Sequence, residues 1–356
     1  MQAPLAVGDP PIQPPSTVAR CRATILPMML YAGFDEAGYG PLLGPMCVAA
    51  SAWLVPAGDP AQPLDLWQAL SKGVCRTRKD RRGRVAIADS KSLKGTRDAR
   101  AHPLHAIERG VLAATAALCG SAPKDEDALD AALRCGTQAV PDVQSTSACE
   151  ADGVQLPCAC SEDEISVASA MLRRACNSAG ITPAELMCTA ITPAQLNADA
   201  SRGLTKPSIP FARAAQMAAD LLDRHGSRPV RLAFDRQGGR MRYADDLRRC
   251  FGGARLAILH EDELRSEYRF ERDGRTIVAS FEAGGEERHL PIALASMVAK
   301  YVRELRMARL NRFFARLAPD VPPTAGYVTD GRRFLEQVEP QLIALGIDRS
   351  RLVRSI

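Results

Sequence analysis

A turn dense in glycine and proline, set directly behind two adjacent acids, constrains this chain more than any other stretch. Gly38, Gly40, Pro41, Gly44 and Pro45 follow Asp35 and Glu36. Proline withholds a backbone donor and glycine reaches conformations closed to other residues, so no helix runs through this stretch. Apolar runs flank it. Residues 30–35 read as a short buried strand and 46–55 as its paired neighbour, so the folded part opens on a hairpin.

Helical spacing follows at 66–78, 97–119, 163–178, 209–225, 291–317 and 331–345, with further strands at 230–235 and 276–281. In the long helix, Leu294, Val298, Val302 and Leu305 share one face. Strands alternating with helices after an early hairpin specify an α/β fold with a mixed sheet. Residues 1–27, which hold Pro10, Pro11, Pro14 and Pro15, read as a flexible leader. Residues 120–162 break the periodicity with Pro123, Pro141 and Pro157, and read as a loop-rich insert.

Composition narrows the class. A chain of 356 residues with 46% hydrophobic content can bury a large core, and 24% charge does not mark a disordered chain. The net charge of +5 suits an acidic partner such as nucleic acid, but many enzymes without one share it. Eleven cysteines without a repeated spacing, and no signal peptide, read as free thiols in the cytoplasm. Cys158 and Cys160, with Cys149, lack the usual zinc spacing, and the insert holds no histidine. No run approaches the roughly eighteen apolar residues of a membrane span. The histidines are scattered, and His289 reads as a surface or capping residue.

The chemistry is carried by acids at strand ends. Asp35 and Glu36 close the first strand, Asp235 closes the 230–235 strand, and Glu286 and Glu287 precede the long helix. Two unit charges about 4 Å apart repel by roughly 4 kcal/mol at an effective dielectric near 20. Such a cluster persists if one member is protonated or a cation binds. Oxygen-only ligands select hard ions, Mg²⁺ or Mn²⁺, which catalyse phosphodiester hydrolysis. Most of the 41 acids nonetheless simply solvate the surface.

The segment from Asp35 to Pro45, Asp-Glu-Ala-Gly-Tyr-Gly-Pro-Leu-Leu-Gly-Pro, closely resembles the opening signature of the ribonuclease HII family, D-E-x-G-[R/K]-G-x-x-x-G-P. Asp89-Ser90-Lys91-Ser92-Leu93 is similar to that family's D-S-K-x-L, and Ala295-Ser296-Met297-Val298-Ala299-Lys300 to its A-S-I-x-A-K. Gly326-Tyr327-Val328-Thr329 resembles its G-Y-x-T, and Asp235 is placed like its third catalytic aspartate. The resemblance implies a ribonuclease H-like mixed β-sheet flanked by helices over 28–318, with a C-terminal helical extension over 319–356. It implies a monomeric endonuclease that cuts the RNA strand of RNA/DNA hybrids or ribonucleotide-containing DNA, using Mg²⁺ or Mn²⁺ and leaving 5′-phosphate and 3′-hydroxyl ends. Asp35, Glu36 and Asp235 would be catalytic metal ligands. The family's fourth ligand falls on Glu286, with Glu287 and Glu282 as rivals.

Gly38, Tyr39 and Gly40 would meet the junction ribose, with Tyr39 replacing the family's cation by a ring. Tyr327 would pack on the neighbouring deoxyribose, and Lys91 and Lys300 would contact phosphates. Arg240, with Arg236 and Arg242, would form a basic loop beside the acids. Glu304 is expected to be structural. Two other readings stay open: a non-catalytic hybrid-binding homologue, and a related metal nuclease acting on another nucleic-acid structure.

Overall fold

The computed structural model describes residues 27–95, 101–133, 153–236, 240–252 and 255–356. In chain order its strands are β1 (Met28–Ala37), β2 (Met46–Pro56), β3 (Val74–Cys75), β4 (Val85–Ala86), β5 (Thr182–Ile191), β6 (Val230–Asp235), β7 (Leu256–Glu261), β8 (Arg265–Arg272) and β9 (Arg275–Glu282). Its helices are α1 (Leu66–Ala69), α2 (Ser90–Leu93), α3 (His105–Cys119), α4 (Glu126–Ala132), α5 (Glu162–Ala179), α6 (Pro193–Ser201), α7 (Ser208–Arg224), α8 (Ala244–Cys250), α9 (Leu290–Leu317) and α10 (Val328–Ala344). Seven strands form one sheet in the order β5-β2-β1-β6-β9-β8-β7. β1, β6 and β9 are mutually parallel, and the strands outside them pair antiparallel. This is the mixed α/β sheet flanked by helices that the sequence specifies.

The period of two along β1 feeds two cores. Met29 and Tyr31 pack under α3, α5 and α9, whereas Leu30, Ala32 and Phe34 pack against α7 and α8. Gly33 permits the close crossing of α9: a Cβ there would sit 2.2 Å from the Ile292 nitrogen. A smaller third cluster joins Leu43 to Phe314 of α9 and Phe334, Leu335, Val338 and Leu342 of α10. Among the described residues no helix is long and apolar enough to cross a membrane.

Several elements differ from expectation. The helix at 66–78 is only the single turn α1, followed by β3, because Gly73 packs so closely on α5 that its Cβ would lie 2.7 Å from the Met171 carbonyl oxygen. The helix at 97–119 begins at His105, and residues 96–100 lie outside the described part. β5, β7 and β8 were not anticipated. β5 opens Thr182-Pro183, a poor strand start, and β8 alternates Arg265, Glu267, Arg269 and Glu271 with its apolar residues. Glu267 is buried because Arg231 reaches it from β6 at 2.5 Å.

The stretch expected as a loop-rich insert, 120–162, is described over 120–133 and 153–162. It contains α4, which Arg306 of α9 holds through Glu126 and Asp130. Its downstream end wraps a buried carboxylate: Glu108 of α3 accepts from the amides of Cys158 (2.9 Å), Ala159 (2.5 Å) and Cys160 (2.8 Å), and from the Tyr301 hydroxyl (2.7 Å). Burial opposes ionisation of Glu108, but these donors outweigh it and hold its carboxyl below the usual range. The same burial and carboxylate push the Cys158 thiol up to about 12, so it stays protonated and is a poor zinc ligand. Cys149 and residues 1–26 of the segment expected as a leader over 1–27 lie outside the described residues.

Glu108→Ala should destabilise the protein by roughly 3 kcal/mol in urea unfolding, since it strands buried donors. Because folding depresses this carboxyl, its contribution is complete above about pH 4.3 and is lost as pH falls through the folded value. Glu108→Ala should therefore cost less in acid than at pH 7; an equal loss at both would contradict the assignment.

Candidate metal centre and nucleic-acid face

Three parallel strands carry a phenylalanine followed by an acid at one level: β6 and β9 end there, on Asp235 and Glu282, while β1 runs past Asp35 to Ala37, still paired with β2. Phe34 pairs with Phe234 and Phe234 with Phe281, and Asp235 pairs with Glu282 in the next step. The rings stack on the α7 side, with centroids 4.4 and 4.7 Å apart, and Tyr243 continues the stack 3.6 Å from Phe281. Since neighbouring residues of a strand face opposite ways, Asp35, Asp235 and Glu282 emerge together on the α9 side.

These acids divide by their partners. Glu282 is buried in a network: His289 Nε2 lies 2.7 Å away, Arg231 Nη2 3.5 Å and Arg288 Nε 3.6 Å. Burial alone would raise Glu282, but the His289 hydrogen bond and the His289 and Arg231 charges hold it down at about 2. His289, expected at the surface or as a cap, takes the N-cap position of α9 but is buried, with Nδ1 2.5 Å from the Tyr31 hydroxyl. Glu287 is exposed. Glu286, in the 3₁₀ turn leading into α9, hydrogen-bonds the Asp235 carboxyl. Of the three rivals, Glu286 is the one placed with Asp35 and Asp235.

Burial, then the charges of Asp35 and Glu286, push Asp235 up to about 8. Burial, then the Glu36 charge, push Asp35 well above the carboxylate range, against hydrogen bonds from Ser296 and the Glu36 amide, the latter 2.7 Å long. The Gly285 amide donates to Asp235 at 3.0 Å. Glu286 Oε2 is buried without a hydrogen-bond partner. Among the described residues no three His, Cys, Asp or Glu side chains are already drawn together at ligating spacing. The donor set nonetheless fits a hard divalent cation: it is all oxygen, its charge is uncompensated, and one buried oxygen is unsatisfied. Asp35, Asp235 and Glu286 would hold the ion, with Glu36 beside them.

The matched segments meet around these acids. Ser296 of α9 bonds Ser90 at 3.1 Å, which brings the N-terminus of α2 and exposed Lys91 to the site. Leu42 and Leu43 donate to the Gly326 carbonyl at 2.8 and 3.0 Å, docking Tyr327, 54% exposed, beside the glycine turn. Gly38 needs its lack of a side chain: its φ is +89°, and a Cβ would lie 2.6 Å from Arg303 Nε. Gly40 faces open space. Buried Arg354, from the last residues of the chain, clamps the turn by donating to the carbonyls of Gly38 and Gly44, the latter at 2.7 and 2.9 Å.

The basic residues are less uniformly available. Lys300 pairs with Glu304 at 2.7 Å, and Lys94 shares that carboxylate at 2.9 Å. Arg240 pairs with Asp246 and lies 4.6 Å over the Tyr243 ring. The Arg236 guanidinium donates to the Glu263 carbonyl, Arg242 is exposed, and residues 237–239 lie outside the described part. Sequence reasoning missed Ser90, Ser296, Gly285 and Arg354 as site residues. The Phe-acid pair repeated in β1, β6 and β9 was a readable signal for the three-strand convergence.

No family model matches the chain, and no curated protein does. Solved structures do. The Bst ribonuclease HIII with Mn²⁺ is 14% identical at a TM-score of 0.43, over 93% of this chain and 68% of that one. The ribonuclease HII of the PCNA complex from Archaeoglobus fulgidus is 17% identical at 0.39, over 92% of this chain and 94% of that one. Ribonuclease H2 from Pyrococcus horikoshii OT3 is 14% identical at 0.43, over 91% and 92%.

Folding raises the Asp235 carboxyl to about 8, so at pH 7 the chain must take up a proton there, and Asp235→Asn removes that cost. It should raise the stability of metal-free protein by on the order of 1 kcal/mol, a few degrees in thermal midpoint. It should also abolish a stabilisation by Mn²⁺ seen in the unmodified protein. A midpoint of the unmodified protein that does not respond to millimolar Mn²⁺ would contradict the metal assignment.

Proposed function

We propose that this chain is a divalent-metal-dependent endonuclease that hydrolyses the RNA strand of RNA/DNA hybrids or of ribonucleotide-containing DNA. The observation that carries the reading is the union of Asp35, Asp235 and the unsatisfied Glu286 with a clamped glycine turn. Mg²⁺ or Mn²⁺ bound there supplies the Lewis-acid charge for attack of water on a phosphodiester.

The chain's own groups do the rest. Asp35, Glu36, Asp235 and Glu286 concentrate negative charge that only a cation-bearing phosphodiester can approach. Ser296 and the Glu36 amide fix the Asp35 carboxyl, and the Gly285 amide fixes Asp235. Gly38 and Gly40 present bare backbone on which a ribose 2′-hydroxyl, the group that separates RNA from DNA, can be read. Tyr327 offers an exposed ring to the adjoining sugar, and Lys91 an exposed cation to phosphate. Lys300 and Arg240, both engaged by carboxylates, contribute mainly by shaping the surface.

The test is incision of a labelled DNA duplex carrying one ribonucleotide, beside a continuous RNA/DNA hybrid, with Mg²⁺ or Mn²⁺. Cleavage of the RNA-containing strand with 3′-hydroxyl ends is expected, and Asp35→Asn should lower the rate more than about a hundredfold with folding intact. Tight binding with no cleavage in either ion would replace this reading by that of a non-catalytic hybrid-binding protein.

A further inference from the structure

The turn that would meet the substrate carries a ring but no cation of its own: Gly38, Tyr39 and Gly40 are followed by Pro41, Leu42 and Leu43. A nucleic-acid face beside clustered carboxylates needs a positive charge nearby, because the acids repel the phosphates on either side of the one being cut. That charge arrives from a distant part of the chain. Lys206, just ahead of α7, places its Nζ 5.2 Å from the Tyr39 ring centroid.

Its position is fixed from three sides. The Tyr39 face attracts the ammonium through the ring quadrupole. The main-chain oxygen of Ile356 accepts from Nζ at 3.3 Å, and the same terminal segment clamps the turn through Arg354. Pro207 restricts the Lys206 backbone at the entry to α7. Among the described residues Lys206 forms no ion pair with an Asp or Glu side chain, unlike Lys300, Lys94 and Arg240. Its contacts are the Tyr39 ring and the Ile356 main-chain oxygen, and Tyr39 remains half-buried beside exposed Gly40.

We propose that Lys206 and Tyr39 form one substrate-binding unit, the ring covering the sugar or base at the turn and the ammonium holding the adjacent phosphate. Lys206 is a positioning residue for the nucleic-acid backbone and takes no part in bond breaking. This rests on the nuclease reading above and names a group that supplies a phosphate contact at the glycine turn itself.

The test is equilibrium binding of a fluorescent RNA/DNA hybrid by the full chain in EDTA, across a salt series, so that no turnover enters the measurement. Lys206→Ala should weaken binding roughly tenfold near 0.1 M salt and flatten the slope of log K against log salt by about 0.9. Lys206→Arg should restore both. In a Tyr39→Ala background the Lys206→Ala effect should shrink, since the two act together. Lys206→Gln keeps most of the stem and gives the same readout if the Ala variant unfolds. If the unmodified protein binds hybrid and the slope is unchanged in both neutral variants, the Lys206 assignment is wrong while the nuclease reading stands. If the unmodified protein binds no nucleic acid, the nuclease reading falls and takes this one with it.

Discussion

The register of three parallel strands governs what this molecule can do. β1, β6 and β9 are held so that Phe34, Phe234 and Phe281 stack in a row. Each stacked pair adds about 0.5–1.5 kcal/mol beyond burial, and a slip of one residue would move every ring to the wrong face. The rings therefore fix the acids that follow them. Carboxylates that repel one another are delivered to one point by apolar packing on the far side of the sheet, which does not depend on their charge state.

Having been forced together, the acids are sorted by their neighbours. Glu282 meets His289 and Arg231 and settles as a buried ion; this network spans β1, β6, β8 and β9 through Tyr31 and Glu267 and is structural. Asp35 and Asp235 meet only neutral donors, and Glu286 joins them with one oxygen unsatisfied. The contrast between a compensated acid and uncompensated ones on the same sheet edge separates scaffold from site. The glycine turn is fixed just as firmly, by Arg354 and Arg303 beneath it and by Gly326 beside it.

Much of this is legible in the chain itself. The strand 230–235, the helix at 291–317 and the hairpin follow from apolar runs bounded by turn residues, because those elements are buried and their pattern is strong. β5, β7 and β8 were not legible, since they sit towards the sheet edges and carry charges satisfied only by tertiary partners, as Glu267 is by Arg231. Asp35, Glu36 and Asp235 could be named from strand ends and motif. The family offset pointed to Glu286 but left Glu282 and Glu287 as rivals, because the choice depends on which acid finds His289. Lys206 and Arg354 could not be read at all: their targets lie more than a hundred residues away in sequence.

The most direct test of the account is a crystal grown with Mn²⁺ and recorded at the manganese absorption edge. An anomalous peak ligated by the carboxylates of Asp35, Asp235 and Glu286, with Glu282 still bound to His289, is what the account predicts. A protein that takes up no Mn²⁺ there, or that binds it through Glu282 and His289 instead, would contradict it.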